Sequence, residues 1–475
     1  MTILVPRPIQ KPMIQFMLDN PRCCIFAGCG TGKTSSGLLV ADMLPLLGLS
    51  KGPSLVCGPM RVARDVWHED AEKWENFNHM KIRWIGGTPG ERFEILRARP
   101  FADVYTISYE LLPWLVQTLQ DKFPFRTVIA DESDALKGFR LAGRHSPSTA
   151  ADGRPSRSGR SSVRAYAIAR VAHTLVDRWV NFTGTPAPNG LGDLWGQMWF
   201  IDRGQRLGLT HGAFMSRWFK QNPYSRRIEP FPHSEKEIHA ALKDICLTLD
   251  AKDYFDLHTP IVVPMEFNLP PGARRIYDRL EKTLFAELAT GTEVEVFNEA
   301  ALSNKCLQLA NGAIYTTYPQ WEEVHDAKIE ILREIVAESG GAPVLVAYQF
   351  KSDAARILKA FPAAAILAEP AGLAKFKAGE AQLGIAHPKS LGHGVDGLHL
   401  ATNILVRFGH GWDLGQRIQM LERIGPMRQF QAGFDRAVFV YDIIARKTLD
   451  VEVIARHKSK VSVQEALLNA MNRER

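Results

Sequence analysis

The run Cys23-Cys24-Ile25-Phe26-Ala27-Gly28-Cys29-Gly30-Thr31-Gly32-Lys33-Thr34 decides how the chain is read. Its apolar start predicts a short buried strand, and a helical pattern begins as soon as the glycines end. A glycine-rich turn between strand and helix is the arrangement of a phosphate cradle. Small residues across Gly28, Gly30, Thr31 and Gly32 let backbone N–H groups approach the β- and γ-phosphates of a nucleotide. Lys33 brings a cation to the same oxygens, and the helix N-terminus adds its partial positive charge. The Thr34 hydroxyl is placed to ligate Mg²⁺. The competing reading, an ordinary glycine-rich turn ahead of a helix, is weakened by the Gly-Lys-Thr sequence directly after a strand.

A cradle needs a metal carboxylate and a base. The apolar run Val128-Ile129-Ala130 ends in Asp131-Glu132-Ser133-Asp134, two carboxylates at the carboxyl end of a buried strand, where ligand sites of parallel sheets form. Asp131 is expected to hold Mg²⁺ through water, and Glu132 to orient and deprotonate an attacking water. Acidic pairs at strand ends are commonly only solvated. The loop ending at Lys33 raises this one, because both elements must converge on one metal and one phosphate.

Outward from these motifs, strand-length apolar runs at 23–28, 53–58, 103–108, 127–130 and 179–183 alternate with helical stretches. That rhythm predicts a parallel sheet covered on both faces, hence an α/β fold. From about 201 to 325 the alternation is lost, and the stretch reads as a mainly helical insertion with one strand near 261–268. The rhythm returns with a helix at 326–338, strands at 343–348, 364–368, 383–386, 403–408 and 437–443, and a terminal helix after Thr448. Three parts are therefore expected: an α/β lobe over 1–200, a helical linker over 201–325 and a second α/β lobe over 326–475.

At 475 residues with 45% hydrophobic and 23% charged residues, the composition is that of a globular chain with more than one core. No apolar run approaches the roughly 20 residues of a membrane span, and no secretory leader is recognised at the start, so a cytoplasmic location without membrane partners is expected. The six cysteines show no C-x-x-C spacing and are expected to be buried reduced thiols rather than metal ligands. Charge is concentrated. From Lys137 to Arg164 there are seven Lys or Arg and one acid, Asp152, so nearly all of the formal surplus of +7 sits there. Such a segment, with Arg154, Arg157 and Arg160 at its centre, suits a polyphosphate partner, although solvated loops share the composition.

With these residues in place the chain resembles helicase superfamily 2, and within it the Swi/Snf-type DNA-dependent ATPases. Ala27 to Thr34 is similar to that family's A-x-x-G-x-G-K-T loop, Asp131 to Asp134 to its acidic box, and Lys137 follows at the family's offset. Arg7-Pro8-Ile9-Gln10 resembles the element whose glutamine, here Gln10, reads the adenine edge. Pro59, Trp67, Glu69 and Trp74 resemble the next block, where core packing and a nucleic-acid role weigh about equally; Tyr109-Glu110 has the same status. Thr183-Gly184-Thr185-Pro186 matches the coupling motif, whose hydroxyls, on Thr183 and Thr185, link hydrolysis to nucleic-acid contacts. In the second lobe, Tyr348-Gln349 resembles a fourth motif. The stretches His387-Pro388-Lys389-Ser390 and Gly392-His393-Gly394 resemble a fifth, which implies phosphate contacts for Ser390 and His393. Trp412, Gln419, Arg423 and Gln429 fall at the spacing of the sixth, with Gln419 in its coupling glutamine position.

One departure concerns the arginines that stabilise charge on the transferring phosphoryl group. The family's second arginine would fall at Pro426, while Arg428 lies two residues on. Arg428 is favoured here, with Arg423 assisting. The resemblance spans about 7–200 and 325–460 and is thin between. It implies two RecA-like lobes, ATP and Mg²⁺ as nucleotide and metal, and double-stranded DNA gripped without sequence preference. The compact length also resembles stand-alone forms from bacteriophages and prophages, which would place the protein in a host cytoplasm beside replication or recombination proteins. Two alternatives stay open: a strand-separating helicase on forked DNA or RNA, and a catalytically idle clamp or annealing factor.

Overall fold

A computed structural model describes residues 2–140, 159–221, 228–290, 295–316, 319–391 and 395–472. The run that opens the phosphate loop is strand β1 (Arg22–Ala27), buried from Cys23 to Ala27. It is followed by β2 (Ser54–Gly58), β3 (Ile82–Ile85), β4 (Val104–Ser108), β5 (Thr127–Asp131) and β6 (Arg178–Thr183). A small antiparallel hairpin, β7 (Phe219–Gln221) with β8 (Ile228–Pro230), precedes β9 (Cys246–Leu249). Seven of these form one sheet in the order β3-β4-β2-β5-β6-β1-β9, every neighbouring pair parallel. β2, β4, β5 and β6 are buried at every position. That is why their sequences read as unbroken apolar runs rather than alternating ones, since helices cover both faces of a parallel sheet.

The chain divides into two units, one built on Met1–Asp256 and the other on Leu257–Val461. The second unit opens with β10 (Ile261–Phe267). An antiparallel pair, β11 (Ala313–Tyr315) and β12 (Trp321–Glu323), comes next, then β13 (Val344–Ala347), β14 (Ala365–Ile366), β15 (Leu383–Ala386), β16 (Ile404–Arg407) and β17 (Phe439–Ala445). Its sheet runs β10-β17-β16-β13-β15-β14, again wholly parallel. Two parallel α/β units, of seven and six strands, are thus the architecture that the alternating pattern predicts.

The stretch 201–325, expected as a mainly helical insertion, contributes a strand to each sheet. Its β9 completes the first sheet beside β1, and its β10 forms the edge of the second beside β17. The helices His211–Trp218 and Ser234–Leu242 precede β9, and Pro271–Thr290 and Glu295–Asn311 follow β10. Most of the expected basic segment falls outside the described residues, including Arg154 and Arg157. So do the side chain of Arg160 and the whole of Gly392, His393 and Gly394.

Candidate functional site

Strand order explains how distant motifs meet in the first unit. β6 lies between β5 and β1, with Asp131 level with Phe182 and Phe26 level with Thr183. The glycine-rich loop, the Thr-Gly-Thr-Pro turn and the acidic box therefore emerge side by side from the carboxyl ends of three adjacent strands.

The loop itself needs glycine at two places. Gly30 and Gly32 have φ of 79° and 88°, in the left-handed region that a side chain disfavours. Gly32 caps the helix Lys33–Leu46, and a Cβ there would collide with the Gln10 amide and lie 2.8 Å from the Arg7 guanidinium. Lys33 Nζ donates to the carbonyls of Ala27 at 2.6 Å and Gly28 at 2.8 Å, so its ammonium spans the mouth of the loop. Thr31 Oγ1 donates to Gly28 O at 2.8 Å, which fixes the turn. Thr34 follows Lys33 in the first helical turn, half-buried.

Gln10 is drawn into this loop. Its Oε1 accepts from Arg7 N at 3.0 Å and Arg7 Nε at 3.2 Å, while Nε2 reaches Gly32 O at 3.2 Å and Ser35 Oγ at 3.0 Å. Arg7 itself donates to Gly30 O at 3.2 Å. The Arg-Pro-Ile-Gln element thus braces the cradle directly.

Asp131 is buried, and its carboxylate accepts from the indole of Trp67 at 3.0 Å and from Glu132 N at 3.1 Å. Burial pushes this carboxyl above the usual carboxylate range, against the opposing pull of the Lys33 charge, the Trp67 indole and the Glu132 N–H. Tyr109 supports the same residue, its hydroxyl donating to Asp131 O at 2.9 Å. Glu132 is half-buried and sits at φ 54°, ψ 56°, a left-handed conformation rare for a residue with a side chain. A hydroxyl at Thr34 and a carboxylate at Asp131 are hard oxygen donors of the kind Mg²⁺ takes, and the glycine cradle matches a polyphosphate.

Thr183 and Thr185 are buried, with Thr185 N donating to Thr183 Oγ1 at 3.0 Å. Two residues that the sequence did not single out join this turn to the acidic box. Gln197 takes a hydrogen bond from Ser133 Oγ at 3.0 Å and donates to Pro186 O at 2.7 Å, and Asn181 Nδ2 donates to Gln197 O at 3.0 Å. The signal was present: Gln197 is the lone amide in the apolar run Leu194-Trp195-Gly196-Gln197-Met198-Trp199-Phe200-Ile201.

In the second unit, Gln419 is half-buried on the helix Leu414–Glu422, and Arg423 caps that helix. Pro426 is the first residue of a new short helix, Pro426–Gln431, with Gly425 extended before it. Proline suits that position because the first turn needs no N–H from it. Both arginines lean on one segment: Arg423 donates to Val395 O at 2.9 Å, and Arg428 pairs with Asp396 Oδ1 at 3.0 Å. Ser390 Oγ donates to His387 O at 2.7 Å within its own turn. Gln429 is buried and holds Thr402 O and Ile424 O, each at 2.9 Å.

None of the six cysteines forms a disulfide among the described residues, and five are buried while Cys29 is half-buried. Among the described residues no helix is long and apolar enough to cross a membrane.

No protein-family model matches the chain. It is 45% identical over 480 residues to "Putative protein p41" of Acyrthosiphon pisum secondary endosymbiont phage 1, with all of both chains covered. Among solved structures it is similar to the Sulfolobus solfataricus SWI2/SNF2 ATPase core in complex with dsDNA, at TM-score 0.44 and 18% identity over 98% of this chain and 94% of that one. It is also similar to the Sulfolobus solfataricus SWI2/SNF2 ATPase core domain, at TM-score 0.42 and 18% identity over 97% of this chain and 90% of that one.

Proposed function

The chain belongs to the same family as the phage protein p41, and we propose that it is an ATP-dependent nucleic-acid motor, a Swi/Snf-like ATPase that hydrolyses ATP to ADP and phosphate while travelling on double-stranded DNA. One observation carries the reading: β1, β6 and β5 lie side by side, so the phosphate loop, the Thr183–Pro186 turn and the Asp131-Glu132 pair emerge together from the carboxyl ends of three adjacent strands.

The chemistry follows from those residues. Backbone N–H groups from Gly28 to Thr34 hold the phosphates, and Lys33 exchanges its carbonyl partners, Ala27 and Gly28, for phosphate oxygens. Thr34 and, through water, Asp131 would hold Mg²⁺, which would supply positive charge at the phosphates. Glu132 orients a water on the γ-phosphorus and takes its proton; the water oxygen forms the new bond, and the bridging oxygen leaves with ADP. Gln10 serves the adenine edge from its place beside the loop. Arg428, with Arg423, stabilises charge on the transferring group. Thr183, Thr185 and Gln419 couple hydrolysis to nucleic acid.

DNA contacts in this reading go mainly to phosphates and are independent of sequence, with Ser390, His393 and the basic segment around Arg154, Arg157 and Arg160 contributing. The test is ATP turnover with duplex DNA, single strands, forks and RNA, paired with displacement of a triplex-forming strand from intact duplex. Duplex should stimulate most, and the third strand should be displaced only with ATP. Stimulation confined to forks or RNA would point instead to a strand-separating helicase. Nucleic-acid binding with no turnover on any substrate would point to a clamp.

A further inference from the structure

The helix Leu194–Asp202 is buried at every position from Leu194 to Ile201, yet Gln197 lies in its middle. A buried carboxamide without partners is costly, so its bonds are informative. Gln197 Oε1 accepts from Ser133 Oγ at 3.0 Å, and Nε2 donates to Pro186 O at 2.7 Å and Asp193 O at 3.1 Å. Its main-chain carbonyl accepts from Asn181 Nδ2 at 3.0 Å, and Asn181 Oδ1 takes the Trp179 indole N–H at 2.8 Å. Ser133, Asn181 and Gln197 have no exposed surface.

The two ends of this bridge are the two strand-end motifs. Ser133 directly follows Glu132, whose left-handed backbone persists only where its surroundings fix it. Pro186 closes the Thr-Gly-Thr-Pro turn. The neighbouring Gly196 lets the helix seat on the acidic box: a Cβ there would lie 2.6 Å from Lys137 O and 2.7 Å from Leu136 O.

We propose that Gln197 is a positioning residue, an amide latch that makes the acidic box and the Thr183–Pro186 turn move together, so that a change at the nucleotide phosphates arrives at the turn. It touches neither nucleotide nor metal and acts through Ser133 and Pro186. The latch rests on the nucleotide-site reading above.

The experiment uses the full chain, Gln197→Met and Ser133→Ala, followed by hydrogen–deuterium exchange with and without Mg²⁺ and ADP–beryllium fluoride, alongside steady-state kinetics. In the wild type the analogue should slow exchange at both 131–136 and 183–189. In Gln197→Met it should slow exchange at 131–136 alone, with kcat down ~10-fold and KM for ATP nearly unchanged, as expected when a reacting group is misplaced rather than removed. Ser133→Ala should act in the same direction, and the double variant should be no worse than Gln197→Met. Should Gln197→Met fail to fold, loss of slowing at 183–189 in Ser133→Ala carries the same weight. Retained slowing at 183–189 in the variants overturns the latch even where kcat falls. No slowing at 131–136 in the wild type overturns the nucleotide-site reading, and the latch with it.

Discussion

Trp67 Nε1 donates to Asp131 Oδ2 at 3.0 Å, and the same indole ring packs on Gly37, where a Cβ would come within 2.7 Å of it. One buried tryptophan therefore touches both the helix of the phosphate loop and the carboxylate proposed for Mg²⁺. A π-helical turn, Val62–Val66, delivers it there; such wide turns recur at functional sites. Trp67→Phe keeps an aromatic ring on the helix side but withdraws the distal indole edge from Gly37 and deletes the donor to a buried carboxylate. It should destabilise the fold by about 1–3 kcal/mol and raise the Mg²⁺ concentration for half-maximal turnover. Urea unfolding and a Mg²⁺ titration measure the two effects, and a variant unchanged in both would make the indole bond incidental.

The arginines of the second unit separate by kinetics. Arg428→Ala should slow hydrolysis by roughly a thousandfold while ATP binding changes little, the pattern of a group that acts on the transition state. Arg423→Ala should cost less. Single-turnover rates beside equilibrium ATP binding decide the matter; the reverse ranking would move the role to Arg423.

The architecture was legible wherever strands were long and apolar, because burial on both faces leaves a continuous signature. β3 and β9 escaped notice. The first is only four residues and partly exposed, and Cys246–Leu249 is equally short and sits behind a helical stretch, where no pattern signals a return to the first sheet. The loop at Lys33 and the box at Asp131 could be read because their chemistry demands particular residues in consecutive positions. The partners of Gln197 and the Trp67 bond could not. A hydrogen bond across 64 residues, from Ser133 to Gln197, leaves no local pattern, and a tryptophan with a partner looks like one that merely packs.

Stability in the second unit rests partly on a buried ion pair. Lys328 Nζ lies 2.7 Å from Asp450 Oδ2, both side chains fully buried, and also donates to Asn311 Oδ1 at 2.8 Å and Phe408 O at 3.0 Å. Lys328→Met strands the Asp450 charge and should cost about 3–5 kcal/mol. Adding Asp450→Asn should recover much of that loss. Denaturant unfolding of the single and double variants is the check, and equal losses in both would show that packing, not charge, dominates.

Asp353 predicts a pH dependence. Burial pushes its carboxyl up to about 6, despite N–H donors from Phe350 at 2.8 Å and Gln349 at 3.1 Å. An unfolded aspartate titrates near ~4, so between that value and about 6 the folded state holds a proton that the unfolded state has released. Wild-type stability must then fall, relative to Asp353→Asn, as pH rises through this window, and the difference must level off above it. His325, His410 and His457, pushed down to about 4 by burial, act oppositely and lose stability as pH falls, but they are common to both proteins and cancel. Thermal midpoints of the pair across the window measure the slope; a constant difference would contradict the assignment.

The central claim is that one strand-end cluster in the first unit hydrolyses ATP in response to duplex DNA. Its most direct measurement is steady-state phosphate release on linear duplex DNA for the wild type, Lys33→Ala and Glu132→Gln, with ATP binding recorded for each. The wild type should turn over only weakly without DNA and strongly with it, Lys33→Ala should be at background, and Glu132→Gln should bind ATP without releasing phosphate. Turnover at the wild-type rate in either variant, or a wild type indifferent to DNA, would contradict it.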